Sequence, residues 1–509
     1  MTDEADILPP ERIPSGIPGL DRILLGGFLA GGVYIVQGAS GTGKTILANQ
    51  ICFSHAEQGG KALYVTLLGE SHARLLRSLT SLRFYDPAAV PQHVYYISAL
   101  HTLEAGGPPA LLDQIRRELL RQSATLLVVD GLLLPSDEAS GSDQALRKFI
   151  HGLQDHVAGP GRLALLLDGG LRPNRHVGAH AIADGAIALH DTHRGEDTQR
   201  TLEVLKSRGS ACLGGAHPFR ITDDGVVAYP RIEAMRQHPT EEDTGSSGRF
   251  SVGVPTLDEM LGGGLPTGTT TLLLGASGTG KTVLGTHFLS QSSPEEPGLH
   301  FGFYEMPERL AQNAATLGLD LSAAVERGIL EMIWKPTTGQ ILDDLGGQLL
   351  DAVRRRKVKR LFVDGLGGYV EAADAPARAG RVFTALVNEL RTLGVTTVYT
   401  AETPNLVGPE VVVPVPGVSV VVDNMVLMRF AEYRARLHRL FSIIKVRGSA
   451  FDPAMREFRI TDRGIALADT FATAESILSG FGTERESRGS AVKPGVNPTR
   501  TPPPRRRGG

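Results

Sequence analysis

Two cysteines, Cys52 and Cys212, and a single tryptophan are all that 509 residues contain of those types. So few thiols build neither a disulfide framework nor a zinc-ligand cluster, and they suit a reducing compartment. Charge of one sign is also missing: 52 basic residues stand against 55 acidic ones, a formal net charge of -3. That balance supplies no overall field drawing the chain to nucleic acid or to an acidic membrane surface. No run of about eighteen apolar residues occurs, so no membrane span is expected. The first residues, MTDEADILPPERIP, lack the basic start and apolar core of a secretory signal, which makes a cytoplasmic location the default expectation. Apolar residues at 41% and charged residues at 21% are ordinary values for a folded chain with a sizeable core.

What the chain does have is a copy of itself. GIPGLDRILLGG, Gly16 to Gly27, returns as GVPTLDEMLGGG, Gly253 to Gly264. GASGTGKT occurs twice without a change, and TLLVVDG, KSRGS and ITDDG reappear in the same order as RLFVDG, KVRGS and ITDRG. We therefore divide the chain into an N-terminal tail (1–11), a first domain (12–236), a linker (237–248), a second domain (249–482) and a basic tail rich in Pro and Arg (483–509). The linker QHPTEEDTGSSG is polar and Gly/Ser-bearing, and the tail has almost nothing to bury; both read as flexible. The terminal Arg-Arg-Arg needs no role beyond a solvated end.

Inside each copy, short runs such as GVYIVQG, KALYVTLL, TLLVVDG and RLALLLD have no polar face, as expected of strands covered on both sides. Helical stretches such as TILANQICFSHAEQ and PPALLDQIRRELLRQ separate them. The alternation predicts an α/β fold, two tandem domains each built on a doubly wound, mainly parallel sheet.

The repeated GxxxxGKT is a phosphate-binding loop between a strand and a helix. Its glycines let successive backbone N–H groups face phosphate oxygens at a helix start, where the dipole favours anions. The first loop is Gly38, Ala39, Ser40, Gly41, Thr42, Gly43, Lys44 and Thr45; the second is Gly275, Ala276, Ser277, Gly278, Thr279, Gly280, Lys281 and Thr282. Lys44 and Lys281 are expected at the β- and γ-phosphates of ATP, Thr45 and Thr282 at Mg²⁺. Asp130 and Asp364 end apolar strands roughly 80 residues later, where the second Mg²⁺-organising carboxylate of such an ATPase belongs, although Asp-Gly is also a common turn pair. Glu70 and Glu305, after the second strand of each copy, are the candidates for orienting the attacking water.

These elements together resemble the KaiC-like family of circadian-clock ATPases and autokinases, within the RecA-like superfamily. The likeness spans about residues 12 to 232 and 249 to 468. It implies RecA-like P-loop domains and a homohexameric ring that holds ATP between neighbouring subunits and hydrolyses it in both layers. Lys206 and Arg208, and Lys445 and Arg447, would then reach a neighbour's γ-phosphate like arginine fingers; taken alone, K-x-R-G is a surface turn. The family places two adjacent glutamates after the second strand, whereas this chain offers Gly69-Glu70 and Glu305-Met306, so one carboxylate remains per site and Glu70 is displaced by a residue.

In the family's second domain, adjacent Ser and Thr are autophosphorylated shortly before an Asp. Aligning Asp423 with that aspartate puts Ser419 at the serine and Val420 at the threonine. The expectation is thus an ATP-hydrolysing ring with serine/threonine autokinase chemistry in its second domain, serving signalling or timing with a clock-type protein partner. An ATP-gated binding platform is the alternative. A DNA recombinase or helicase is disfavoured by the lack of a helix-hairpin-helix or zinc module and by cores that are not basic.

Overall fold

The computed structural model describes residues 11–69, 71–131, 141–157, 159, 161–169, 181–194, 197–235, 248–373, 376–405, 412–413, 415, 417–433 and 436–468. Glu70, nearly all of both tails and the linker up to Ser247 lie outside these residues.

The first repeat is a nine-stranded sheet. Its strands in chain order are β1 (Gly32–Gly38), β2 (Ala62–Thr66), β3 (Val94–Ser98), β4 (Leu126–Asp130), β5 (Leu163–Asp168), β6 (Gly185–Arg194), β7 (Asp197–Ser207), β8 (His217–Thr222) and β9 (Gly225–Ala228). Across the sheet they run β3-β2-β4-β5-β1-β6-β7-β8-β9. The first six positions pair in parallel and the last three antiparallel.

The second repeat has β10 (Thr270–Gly275), β11 (Gly298–Gly302), β12 (Leu330–Trp334), β13 (Arg360–Asp364), β14 (Thr396–Glu402), β15 (Asn424–Tyr433), β16 (Arg436–Val446), β17 (Arg456–Thr461) and β18 (Gly464–Leu467). Their order, β12-β11-β13-β14-β10-β15-β16-β17-β18, is the same path through a second mainly parallel sheet.

The strands lack a polar face because each feeds two cores. In β4, Leu126 and Val128 join one cluster while Leu127 and Val129 join another on the opposite face, as period-two geometry requires. Helix Lys44–Glu57 covers the first face with Leu47, Ile51 and Phe53; helices Leu100–Gln122 and Gly141–Val157 cover the second with Ile115, Phe149 and Leu153. The second repeat repeats the plan, with helix Lys281–Ser290 on one face and helices Leu342–Arg356 and Pro376–Thr392 on the other. Two doubly wound, RecA-like α/β units in tandem follow from one duplicated sequence pattern.

The two sheets meet through a short peg. Ile232, in a single turn Ile232–Ala234 after β9, belongs to the core of the second repeat and is 3% exposed. Its N–H donates to Asp343 Oδ1 at 3.1 Å. Arg378 then donates to both Asp343 oxygens at 2.7 Å and, through Nε, to Glu233 at 3.1 Å, while Arg231 reaches Glu233 at 2.8 Å. Burial pushes the Asp343 carboxyl up, with Arg378 opposing. Burial also pushes the Arg378 guanidinium down, but the two carboxylates outweigh it and leave it raised.

Candidate functional site

Parallel sheets of this kind bind ligands outside the carboxyl ends of their strands. There, β1 runs into Gly38–Gly43 and then directly into helix Lys44–Glu57. The turn into the helix is left-handed: Gly43 and Gly280 both have φ 102°. A Cβ at Gly43 would also stand 2.7 Å from Ile221 Cδ1, so only glycine serves at this position.

The two lysines are already folded over their loops. Lys44 Nζ donates to Gly38 O at 2.7 Å and Ala39 O at 2.8 Å; Lys281 Nζ donates to Gly275 O at 2.8 Å and Ala276 O at 2.9 Å. Burial pushes both ammonium groups below the ordinary lysine range, while Asp130 and Asp168 around Lys44, and Glu402 and Asp364 around Lys281, pull them back. A polyanion would relieve that burial cost by offering the ammonium a partner.

The acidic strand ends come to the loops. Thr45 Oγ1 donates to Asp130 Oδ2 at 3.1 Å, and Thr282 Oγ1 to Asp364 Oδ2 at 2.9 Å. Each pair sets two hard oxygen donors side by side next to the phosphate loop, the donor set that Mg²⁺ takes when substrate phosphates supply further oxygens. Burial raises the Asp364 carboxyl, against hydrogen bonds from Thr400 and Thr282 that favour its ionised form.

A cavity of about 430 Å³ opens over the first loop, lined among others by Ser40, Lys44, Thr45, Leu68, Asp130 and Ile221. Cavities of about 490 and 600 Å³ lie elsewhere in the chain, lined by neither glycine loop, so volume alone does not choose the site.

Two carboxylates at this end carry no assignment from the sequence. Asp168 closes β5 at the level of Gln37, and Glu402 closes β14 at the level of Gly275, its Oε1 3.8 Å from Lys281 Nζ. Asp168 ends an apolar run in an acid, the signal that would have found it; Glu402 ends the threonine-bearing strand TTVYTAE and carries no such signal. Glu305 lies beyond β11, where its Oε1 accepts from Asn313 Nδ2 at 2.6 Å and stands 3.6 Å from Arg309 Nε. Because Thr66 pairs with Asp130 and Gly302 with Asp364, counting along the chain brings Glu305 to the level of Gly69, one residue before Glu70.

Lys206, Arg208, Lys445 and Arg447 stand away from their own loops. Lys206 pairs with Ala186 and Lys445 with Met425, near the amino ends of strands whose neighbours β1 and β10 still have three residues to run before the loop. That is roughly 10 Å of strand. Lys206 Nζ donates to Ala181 O and Ala183 O at 2.9 and 2.7 Å; Lys445 Nζ donates to Val422 O at 2.7 Å and Ser419 O at 3.3 Å. Arg447 reaches Val420 O at 3.1 Å and Asp423 Oδ1 at 3.5 Å.

Ser419 is not in a strand: it sits exposed on a four-residue helical turn, Val418–Val421, before the buried Asp423. Asp423 is fixed by Arg391, whose Nη2 donates to its two oxygens at 3.1 and 3.0 Å, and by the Thr270 N–H at 3.0 Å. Among the described residues no helix is long and apolar enough to cross a membrane, and no cluster of His, Cys, Asp and Glu forms a metal site of its own.

Comparison with known proteins comes to the same architecture. Residues 13–233 and 250–470 each match the family described as "ATPase: KaiC". A circadian clock oscillator protein KaiC of Picosynechococcus is 27% identical over 493 residues, 93% of this chain and 92% of that protein. The protein of that name from Rippkaea orientalis is 27% identical, covering 93% and 91%. The circadian clock oscillator protein KaiC 1 of Synechocystis is 26% identical over 500 residues, covering 93% and 92%.

Proposed function

The chain belongs to the KaiC family of ATPases, and from that premise we propose that it hydrolyses Mg²⁺-bound ATP at both glycine loops in a ring of identical subunits. In this reading Lys44 and Lys281 bind the β- and γ-phosphates, and the loop N–H groups cradle them. Thr45 with Asp130, and Thr282 with Asp364, hold Mg²⁺, which when bound neutralises charge developing on the transferred phosphoryl group. Glu305 orients the attacking water in the second site, and Glu70 is its counterpart in the first.

The observation that carries the ring is the placement of Lys206, Arg208, Lys445 and Arg447. The two lysines on their strands, and the arginines just past the strand ends, lie away from the phosphate loop of their own repeat, so a cation there serves a γ-phosphate only in another copy. Nucleotide between subunits adds its binding free energy to assembly. Sedimentation will show a larger species, six chains in our reading, with saturating ATP and Mg²⁺ than without. A monomer at micromolar concentration under those conditions sinks both the ring and the fingers acting in trans. The relatives' names, circadian clock oscillator proteins, support timing as the task; a clock-type protein partner and a cytoplasmic setting are part of the same proposal.

A second reading, autokinase activity on Ser419, has an observation in its favour. Lys445 and Arg447 hold the backbone carbonyls of Ser419 and Val420, so whatever brings these cations to a neighbour's γ-phosphate brings the exposed serine with them. In that arrangement Ser419 Oγ attacks the γ-phosphorus, the bond to the β,γ-bridging oxygen breaks, ADP leaves, and Glu305 takes the serine proton. Val420 has no hydroxyl to take phosphate. Incubation with γ-labelled ATP, following free phosphate and label on protein, separates the activities. Label on Ser419 that disappears in Ser419→Ala and Lys281→Ala is the expected result; label that persists in Lys281→Ala, or none at all, leaves the ATPase alone.

A further inference from the structure

The two repeats support their acidic strand ends differently. In the first, Tyr64 Oη donates to Asp130 Oδ2 at 2.6 Å, the same oxygen that accepts from Thr45. Tyr64 sits on β2 opposite Val128, two residues before the Thr66–Asp130 pair, so its side chain runs along the sheet face toward the carboxylate. A hydroxyl bonded to a carboxylate at this distance is in the strong, charge-assisted class.

A second line of contacts backs the first. The Tyr96 ring lies 5.2 Å from that of Tyr64, and its hydroxyl donates to Asn49 Oδ1 at 2.6 Å. Asn49 Nδ2 in turn donates to Thr45 O at 2.8 Å, so both members of the Thr45–Asp130 pair are held from behind.

In the second repeat the position opposite Phe362, two residues before the Gly302–Asp364 pair, is His300. Its ring is buried, neither nitrogen has a hydrogen-bond partner, and burial lowers it to about 4. Support for Asp364 comes from another strand: Thr400 Oγ1 donates to Asp364 Oδ1 at 2.7 Å.

We propose that Tyr64 is a positioning residue for the first site, holding Asp130 for Mg²⁺, while Thr400 does the same work at the second site. This deepens the proposed function and rests on it. Hydrogen-bonding partners of metal-organising carboxylates commonly change metal affinity by ten- to a hundredfold.

The test uses the full chain carrying Lys281→Ala, so that the first loop reports, with a fluorescent ATP analogue and a titration of Mg²⁺. Tyr64→Phe keeps the ring and its packing. It is expected to leave analogue binding in EDTA unchanged and to raise the half-saturating Mg²⁺ concentration on the order of tenfold. Thr400→Val in a Lys44→Ala chain is expected to shift the second site in the same way. A Mg²⁺ midpoint unchanged by Tyr64→Phe overturns the proposal, and so does an equal loss of binding with and without Mg²⁺, which marks a packing role. If analogue binding in the Lys281→Ala chain survives the further change Lys44→Ala, the assignment of the loop itself has failed, a result distinct from either.

Discussion

A chain carrying Lys44→Ala and Lys281→Ala together will release phosphate from ATP at least about a hundredfold more slowly than the parent, while each single variant keeps the turnover of its other loop. The size follows from what each ammonium does. In the proposed reading it is a fixed positive charge where negative charge develops, and removing one such preorganised donor typically costs on the order of a hundred- to a thousandfold in rate. Both ammonium groups are held at their loops by the two carbonyls that open them, so each charge is confined there. Steady-state phosphate release at saturating ATP is the measurement. A double variant as fast as the parent would show that neither loop hydrolyses ATP.

The fold was legible because duplication wrote it twice. Buried parallel strands need apolar residues on both faces, and the runs ending at Asp130 and Asp364 show that pattern directly. The glycine loops were legible for a related reason: a glycine loop followed by Lys and Thr is a local solution, complete within eight residues.

Tyr64 and Thr400 were not legible as neighbours of the acidic strand ends, because those contacts depend on which strands pair. Tyr64 reaches Asp130 only because β2 pairs with β4, and Thr400 reaches Asp364 only because β13 pairs with β14. The helical turn at Ser419 was hidden for the opposite reason. Val-Ser-Val-Val-Val has strand propensity throughout, yet Lys445 and Arg447 bind its carbonyls from the side and Gly417 turns the chain at φ 81°. Tertiary hydrogen bonds outweighed a preference worth only tenths of a kcal/mol per residue.

Asp343→Ala is expected to destabilise the second repeat by about 3–5 kcal/mol, the usual cost of removing one partner from a buried ion pair. The Asp343 side chain is 0% exposed and that of Arg378 10%, so neither charge is relieved by water. Truncation takes the Asp343 carboxylate from the guanidinium, which still binds Glu233, and it strips the acceptor from the Ile232 N–H that docks the first repeat. Replacing both partners, as Asp343→Leu with Arg378→Met, removes the stranded charge and is expected to recover most of the loss, because apolar substitutes for a buried pair are often neutral or stabilising. Glu233 keeps Arg231 in that variant. Urea unfolding of the three chains gives the comparison, and equal losses in the single and double variants would show that charge is not what holds this joint. The joint matters beyond stability because Arg378 and Arg391 lie on one helix, Pro376–Thr392. One binds Glu233 of the first repeat, and the other binds Asp423 beside Ser419. Gly346→Ala tests the same joint without charge: its methyl would fall 1.9 Å from Ile232 Cδ1, so the Ile232 side chain must shift from its seat. If this rigid helix links the repeats, ATP at the first loop will protect the second repeat against urea in the parent and lose that effect in Gly346→Ala.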